Sequence, residues 1–238
     1  KTPLYSHTLS LIGFWTLVAF YSHIGAHHIL QAPIPTWLKS ITVVDSVAMV
    51  IPVFTVLVNI WFTARGRSTE VIKDSGALFV MLGLIWYLLT CIQGPAQSLP
   101  YIQKVTHFNN WTVGHAHIAV LGFSGFIAVG AAWHIIPQIV KHEIYSINLV
   151  KIQLWLMMIG LTGFFVVLTI AGLVQGSSWF NGEVVYRALP QVFPFMALRA
   201  AFGIFIITAA ILGFYNLLKT ITYSKSPENL PQTERVAV

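Results

Sequence analysis

Charge is what this sequence has least of. Only 8% of its 238 residues are Asp, Glu, Lys or Arg, against 56% hydrophobic, and the mean hydropathy is +0.76. Too few polar side chains remain to clothe a soluble globule, so the composition excludes a soluble domain and points to a bilayer. Cysteine is nearly absent: Cys91 stands alone inside an apolar run. That excludes an internal disulfide and a Cys-based metal site, so any metal must be held by histidine. The formal net charge of +6 comes with no run of basic residues. A nucleic-acid partner is therefore excluded in favour of membrane topology as the reason for the basic side chains.

What is present is a series of long apolar runs. Spans of roughly 20 residues or more are predicted over Leu4–Leu30, Ile41–Thr63, Ala77–Gln93, Trp111–Ile136, Ile152–Val174 and Val192–Leu218. Six transmembrane helices put both termini on one side. On that side fall Lys1, Arg65, Arg67, Lys73, Lys141, Lys151, Lys219, Lys225 and Arg235, against Lys39, Lys104 and Arg187 opposite. By the positive-inside rule the termini are expected to be cytoplasmic. The expected organisation is one six-helix transmembrane unit over residues 1–222 and a polar, Pro-containing cytoplasmic tail over 223–238. The first apolar run is too long for a signal peptide and lacks a small-residue cleavage pattern. The chain starts Lys1-Thr2-Pro3 without an initiator Met, from which a longer parent polypeptide is expected.

Five of the nine histidines, His23, His27, His28, His115 and His117, fall in predicted spans near one membrane face. Polar groups in lipid are costly and mark function by default, although a single one is as often a satisfied interhelical hydrogen bond. His115 and His117, two apart on a helix, lie about 200° apart around its axis. They face opposite sides, so two hemes flanking one helix could each take one, whereas a shared metal wants i,i+3 or i,i+4 neighbours. Adjacent His27 and His28 could both ligate one copper ion if the backbone cooperates, and imidazole suits copper. Gly114, Ala116 and Ala119 would let a flat macrocycle approach, or serve plain helix packing. A diheme cytochrome b bundle stacks its hemes through histidines about four turns apart on one helix. No pair of histidines here has that spacing, which disfavours such a bundle. His7, His107, His134 and His142 are read as structural or solvated.

Tyr21-x5-His27-His28 and HFNNWTVGHAHIAVLG, with TPLYSHTLS, QGPAQS, Gln175-Gly176 and FPFMALRAAFG, resemble the heme-copper oxidase superfamily, specifically the C-family, cbb3-type catalytic subunit. The resemblance covers nearly the whole chain and implies an all-α integral membrane fold, helices seven to twelve of a twelve-helix core. It implies that His27 and His28 are two of three CuB ligands, and that His115 and His117 ligate a high-spin and a low-spin b-type heme. It also implies that Tyr21 supplies an electron and a proton for O–O cleavage. Arg199 would pair with heme propionates or, equally, with a partner carboxylate or a backbone carbonyl. The family's proton channel maps onto Ser6, His7 and Ser10.

Three positions depart from the family pattern. Gln93 stands where a Glu bonded to the proximal histidine is usual, His7 replaces a channel tyrosine, and Phe193 replaces a histidine. The third CuB histidine and the second low-spin heme ligand belong to helices outside this chain. The implied partners are therefore a chain carrying helices one to six and membrane-anchored c-type cytochromes. The implied activity is reduction of O2 to water with electrons from cytochrome c, coupled to proton uptake, in a bacterial inner membrane. A nitric oxide reductase with non-heme iron in place of copper, a non-catalytic heme-anchoring subunit, and a transporter with proton-relaying histidines are the alternatives.

Overall fold

A computed structural model describes residues 2–222 of the chain. Six helices are long and apolar enough to cross a membrane: α1 His7–Ile29, α2 Thr36–Ala64, α3 Ser75–Ser98, α4 Asn110–Val140, α5 Ile147–Phe180 and α6 Val185–Thr222. Among the described residues there is no strand. The fold is therefore the expected all-α membrane bundle, while the tail over 223–238 lies outside the described residues. Helices α2 to α6 run longer than the apolar stretches that announce them, because polar residues carry the chain into and out of each span. Asp74, Asn109 and Ser146 accept hydrogen bonds from Ala77, Trp111 and Leu149 N–H groups at 2.8, 3.0 and 3.3 Å. Each satisfies a donor that a helix start would otherwise leave orphaned.

Helices adjacent in sequence are adjacent in space, so the six form a row from α1 to α6. The best-buried core lies in the middle, where Phe79 and Trp86 of α3, Ile118, Phe126 and Trp133 of α4, and Val150, Leu154 and Leu161 of α5 meet. Gly76 and Gly130 let the α3 and α4 backbones touch. A Cβ on either would stand 2.8 or 2.7 Å from the other's carbonyl oxygen, the close approach that small residues provide in lipid, where van der Waals packing holds helices together. The two end helices are largely exposed, with α1 burying only Gly13 and His27 in full.

Two local windings matter for the site. The last turn of α1, Gly25–Ile29, tightens to a 3-10 helix. In α4 the segment after His117, Ile118–Gly125, widens to a π-helix; such segments recur at functional sites.

One clamp occurs twice. In α1–α2, Tyr5 N–H donates to Thr63 Oγ1 (3.0 Å), Ser6 N–H donates to Asn59 Oδ1 (2.9 Å), and Asn59 Nδ2 donates to the Ser6 carbonyl (2.8 Å). In α5–α6, Tyr145 N–H donates to Thr220 Oγ1 (3.1 Å), Ser146 N–H to Asn216 Oδ1 (3.1 Å), and Asn216 Nδ2 to the Ser146 carbonyl (2.9 Å). Sequence follows the geometry. One constant offset aligns Tyr5, Ser6, Leu9 and Trp15 with Tyr145, Ser146, Leu149 and Trp155, and a second, larger one aligns Asn59 and Thr63 with Asn216 and Thr220. Each clamp satisfies backbone groups where a helix enters the apolar layer, where water is scarce.

Candidate metal centre

The 3-10 turn at the end of α1 answers how two adjacent histidines can share a metal. With about 3 residues per turn, it swings the two rings together until His27 Nε2 and His28 Nε2 stand 3.0 Å apart. The ring centroids are 4.1 Å apart. His27 is buried and its Nδ1 lies 2.9 Å from Ser46 Oγ on α2. Ser46 spends its one proton on the Thr42 carbonyl at 2.6 Å. Its oxygen therefore accepts from His27 Nδ1–H, which leaves the His27 Nε2 lone pair free. The backbone of the turn is held too, since buried Gln103 donates from Nε2 to the His27 carbonyl at 2.7 Å.

The same logic operates on α4. His115 Nδ1 lies 3.3 Å from Gln93 Oε1, and an amide oxygen only accepts, so Nδ1 carries the proton and Nε2 is free. His117 Nδ1–H donates to the Val113 carbonyl at 2.7 Å, with the same result. Three imidazoles thus present an unprotonated Nε2 while their Nδ1 is tied to an oxygen, as metal-ligating histidines are usually arranged. His115 stacks on Trp111 (5.9 Å, 10°) and His117 lies against Phe164 (4.7 Å), consistent with two faces of one helix. Gln103, in the segment that leads into α4, bonds the His27 carbonyl, so the two histidine pairs lie at the same end of the bundle. Among the described residues no group of three or more His, Cys, Asp or Glu side chains converges on one point. The donor set fits copper at two imidazoles and a heme iron at each of two others.

The other sequence candidates fall unevenly. Gln93 occupies the expected place beside His115, and it bonds. Ser6 and Ser10 are joined by Asn59, whose Nδ2 donates to Ser10 Oγ at 2.8 Å; His7 is exposed on α1 and takes no part in that network. Tyr21 is 63% exposed on α1. Arg199 is half-buried in α6 and forms no ion pair among the described residues, and Phe193 is exposed. Gly114 is buried against Leu168 of α5, where a Cβ would stand 3.2 Å from that side chain. It serves helix packing rather than a macrocycle.

Sequence reasoning missed Ser46, Gln103, Asp45 and His107. His107, read as structural or solvated, sits half-buried beside His28. Burial holds its imidazole below the usual histidine range, a bond to the His28 backbone opposes this, and the nearby His28 charge lowers it again. The turn that brings it there includes Phe108 at φ +62, which no periodicity announces. His134 bonds Gln138 (3.0 Å) on its own helix, as a structural residue would.

With this geometry in hand, comparison with known proteins is direct. The family model for cytochrome c and quinol oxidase polypeptide I matches residues 1–215. The chain is 28% identical to a cytochrome c oxidase subunit 1 homolog of Agrobacterium tumefaciens (strain T37), covering 92% of this chain and 42% of that one. It is 26% identical to a cbb3-type cytochrome c oxidase subunit CcoN1 of Stutzerimonas stutzeri, covering 96% and 50%. A solved heme-copper terminal oxidase dimer superposes with TM-score 0.77 at 17% identity, over 93% of this chain and 43% of that one, a likeness of fold. The chain spans about half the length, or less, of the relatives it matches.

Proposed function

We propose, from the premise that the chain belongs to the cytochrome c and quinol oxidase polypeptide I family, that it supplies the metal-binding helices of a cbb3-type terminal oxidase core reducing O2 to water. The observation that carries this reading is the His27–His28 pair: Nε2 atoms 3.0 Å apart, with the His27 Nδ1 proton tied to Ser46. With the His27 Nδ1 proton taken by Ser46, the ring nitrogens of the two histidines face each other, the placement a shared metal needs.

In this reading His27 and His28 hold CuB, His115 the high-spin heme and His117 the low-spin heme, both b-type. When bound, the metals supply the electron-transfer chemistry of O2 reduction. The rest falls to the chain. Ser46, Gln93 and the Val113 carbonyl fix three imidazole tautomers and orient the rings. Gln93 does so without the negative charge a carboxylate would add, so its tuning of the high-spin heme would be weaker. Helix α4, with His115 and His117 on opposite faces, would hold one heme iron on each. Tyr21 is exposed on α1, and in this reading its phenol would give a proton and an electron for O–O cleavage. The Ser6–Asn59–Ser10 hydrogen bonds lie at the start of the same helix and, with His7, would feed protons toward Tyr21. Arg199 offers a cation for heme propionates.

A core of this kind needs a further copper ligand and a second low-spin heme ligand from helices one to six, and c-type cytochromes to deliver electrons from cytochrome c. The six-helix unit is residues 1–222, set in a bacterial inner membrane with both termini cytoplasmic. Reduced-plus-CO spectra of the assembled complex test the reading. A CO-reactive high-spin heme that disappears in His115→Ala is the expected result. A complex without one, or one whose spectrum ignores that substitution, overturns it. Gln93, in place of the usual Glu, favours the nitric oxide reductase alternative; iron in place of copper together with NO turnover would establish it.

A further inference from the structure

Among the described residues one histidine and one carboxylate come within ion-pairing distance, His23 Nδ1 and Asp45 Oδ2 at 3.7 Å, on two helices long and apolar enough to cross a membrane. Asp45 is the sole acidic residue in any of the six spans. A carboxyl group at such depth is costly and marks function unless the architecture demands it. The repeated clamp supplies the control. The two offsets that superimpose the clamps carry His23 onto Gly163 and Asp45 onto Phe202, and a Cβ on Gly163 would run into the Phe202 ring. The same crossing point is thus filled in α5–α6 by a glycine and a phenylalanine, so the helix pair needs neither an acid nor an imidazole there.

The surroundings of the pair lead to the metal-binding histidines. Thr42 Oγ1 donates to the His23 carbonyl (2.6 Å), Ser46 Oγ donates to the Thr42 carbonyl (2.6 Å), and Ser46 Oγ accepts from His27 Nδ1 (2.9 Å). Asp45 lies between Thr42 and Ser46 on α2, and Ser22 Oγ lies 3.1 Å from His23 Nδ1. The other titratable groups on the elements packed together here are His7 and Tyr21 on α1, His27 and His28 in its last turn, Lys39 on α2, and Tyr87 and Cys91 on α3. None of them is ion-paired with His23 or Asp45.

We propose that His23 and Asp45 are a proton-holding pair that releases and regains a proton as the ligands at the His27–His28 site change. The pair holds its proton on Asp45, with the His23 imidazole neutral beside it. Release sends it to water at the membrane face where α1 ends, just beyond His23 and the metal-binding turn, and leaves Asp45 ionised beside a neutral imidazole. No electron moves. The proposal rests on the oxidase reading above and adds a site to it.

The test is infrared difference spectroscopy of the assembled, reduced, CO-bound complex with all its chains, recorded on photolysis of CO. A change in a protonated-carboxyl C=O stretch is expected in the wild type. It should vanish in Asp45→Asn, move in frequency in Asp45→Glu, and lose its pH dependence in His23→Gln. A band that survives Asp45→Asn, or no carboxyl band in the wild type, overturns the proposal. A complex with no CO-photolysable heme overturns the oxidase reading instead, and visible spectra recorded beforehand tell the two failures apart.

Discussion

Helix pairs α1–α2 and α5–α6 start alike and diverge. Both are pinned by an Asn and a Thr reaching back to a Tyr-Ser start, with hydrogen bonds of 2.8 to 3.1 Å across each pair. Beyond the clamp, α5–α6 is apolar where α1–α2 is polar. Aligned on the Tyr-Ser starts, Val167 and Leu168 fall opposite His27 and His28, Gly163 opposite His23, and Val150 opposite Ser10. Aligned on the Asn and Thr, Gly203 falls opposite Ser46 and Phe202 opposite Asp45. The lesson is that the clamp is architecture. The polar residues present in only one copy are the ones that need a chemical reason.

That contrast can be pressed hardest at the histidines. His27→Ala or His28→Ala should abolish O2 consumption by the assembled complex, whereas Val167→Ala at the matching place should leave turnover in place and cost about 0.5–3 kcal/mol of stability, read by thermal melting. Next comes Ser46→Ala, which frees the His27 tautomer and should weaken copper binding by about 10- to 100-fold in a chelator competition. Its counterpart Gly203→Ala places a Cβ where nothing lies within 4 Å and should change stability by no more than about 0.5 kcal/mol. If the clamps are equivalent, Asn59→Ala and Asn216→Ala should each lose about 1–3 kcal/mol by stranding backbone groups; a large disparity in melting would break the equivalence. The smallest effect is expected from Ser10→Val, which makes the first copy resemble the second. It should cost about 0.5–1.5 kcal/mol while slowing proton uptake in stopped-flow measurements, and unchanged uptake would remove Ser10 from the proton path.

The family and the six spans were legible because apolar length survives any detail of packing, and because long motifs such as HFNNWTVGHAH are specific. The opposed directions of His115 and His117 were legible as well, since both precede the π-helical stretch that begins at Ile118. The convergence of His27 and His28 was not, because it depends on a 3-10 turn that helix periodicity does not encode. Ser46 and Gln103 escaped because a serine or glutamine near a membrane helix reads as ordinary packing until a partner 19 or 76 residues away is known. Asp45 was a visible signal, the one carboxylate in a span, and went unused for want of its partner. The repeated clamp was hidden by unequal spacing: Ser6 meets its asparagine 53 residues along the chain, whereas Ser146 meets its own 70 residues along.

The measurement that bears most directly on the shared-metal claim is metal analysis of the purified complex with its partner chains, wild type beside His28→Ala. Copper at about one per complex, lost in the variant while both hemes remain in the spectrum, is what two imidazoles meeting at Nε2 predict. Copper that persists in His28→Ala, or a wild-type complex in which non-heme iron stands in its place, would contradict it.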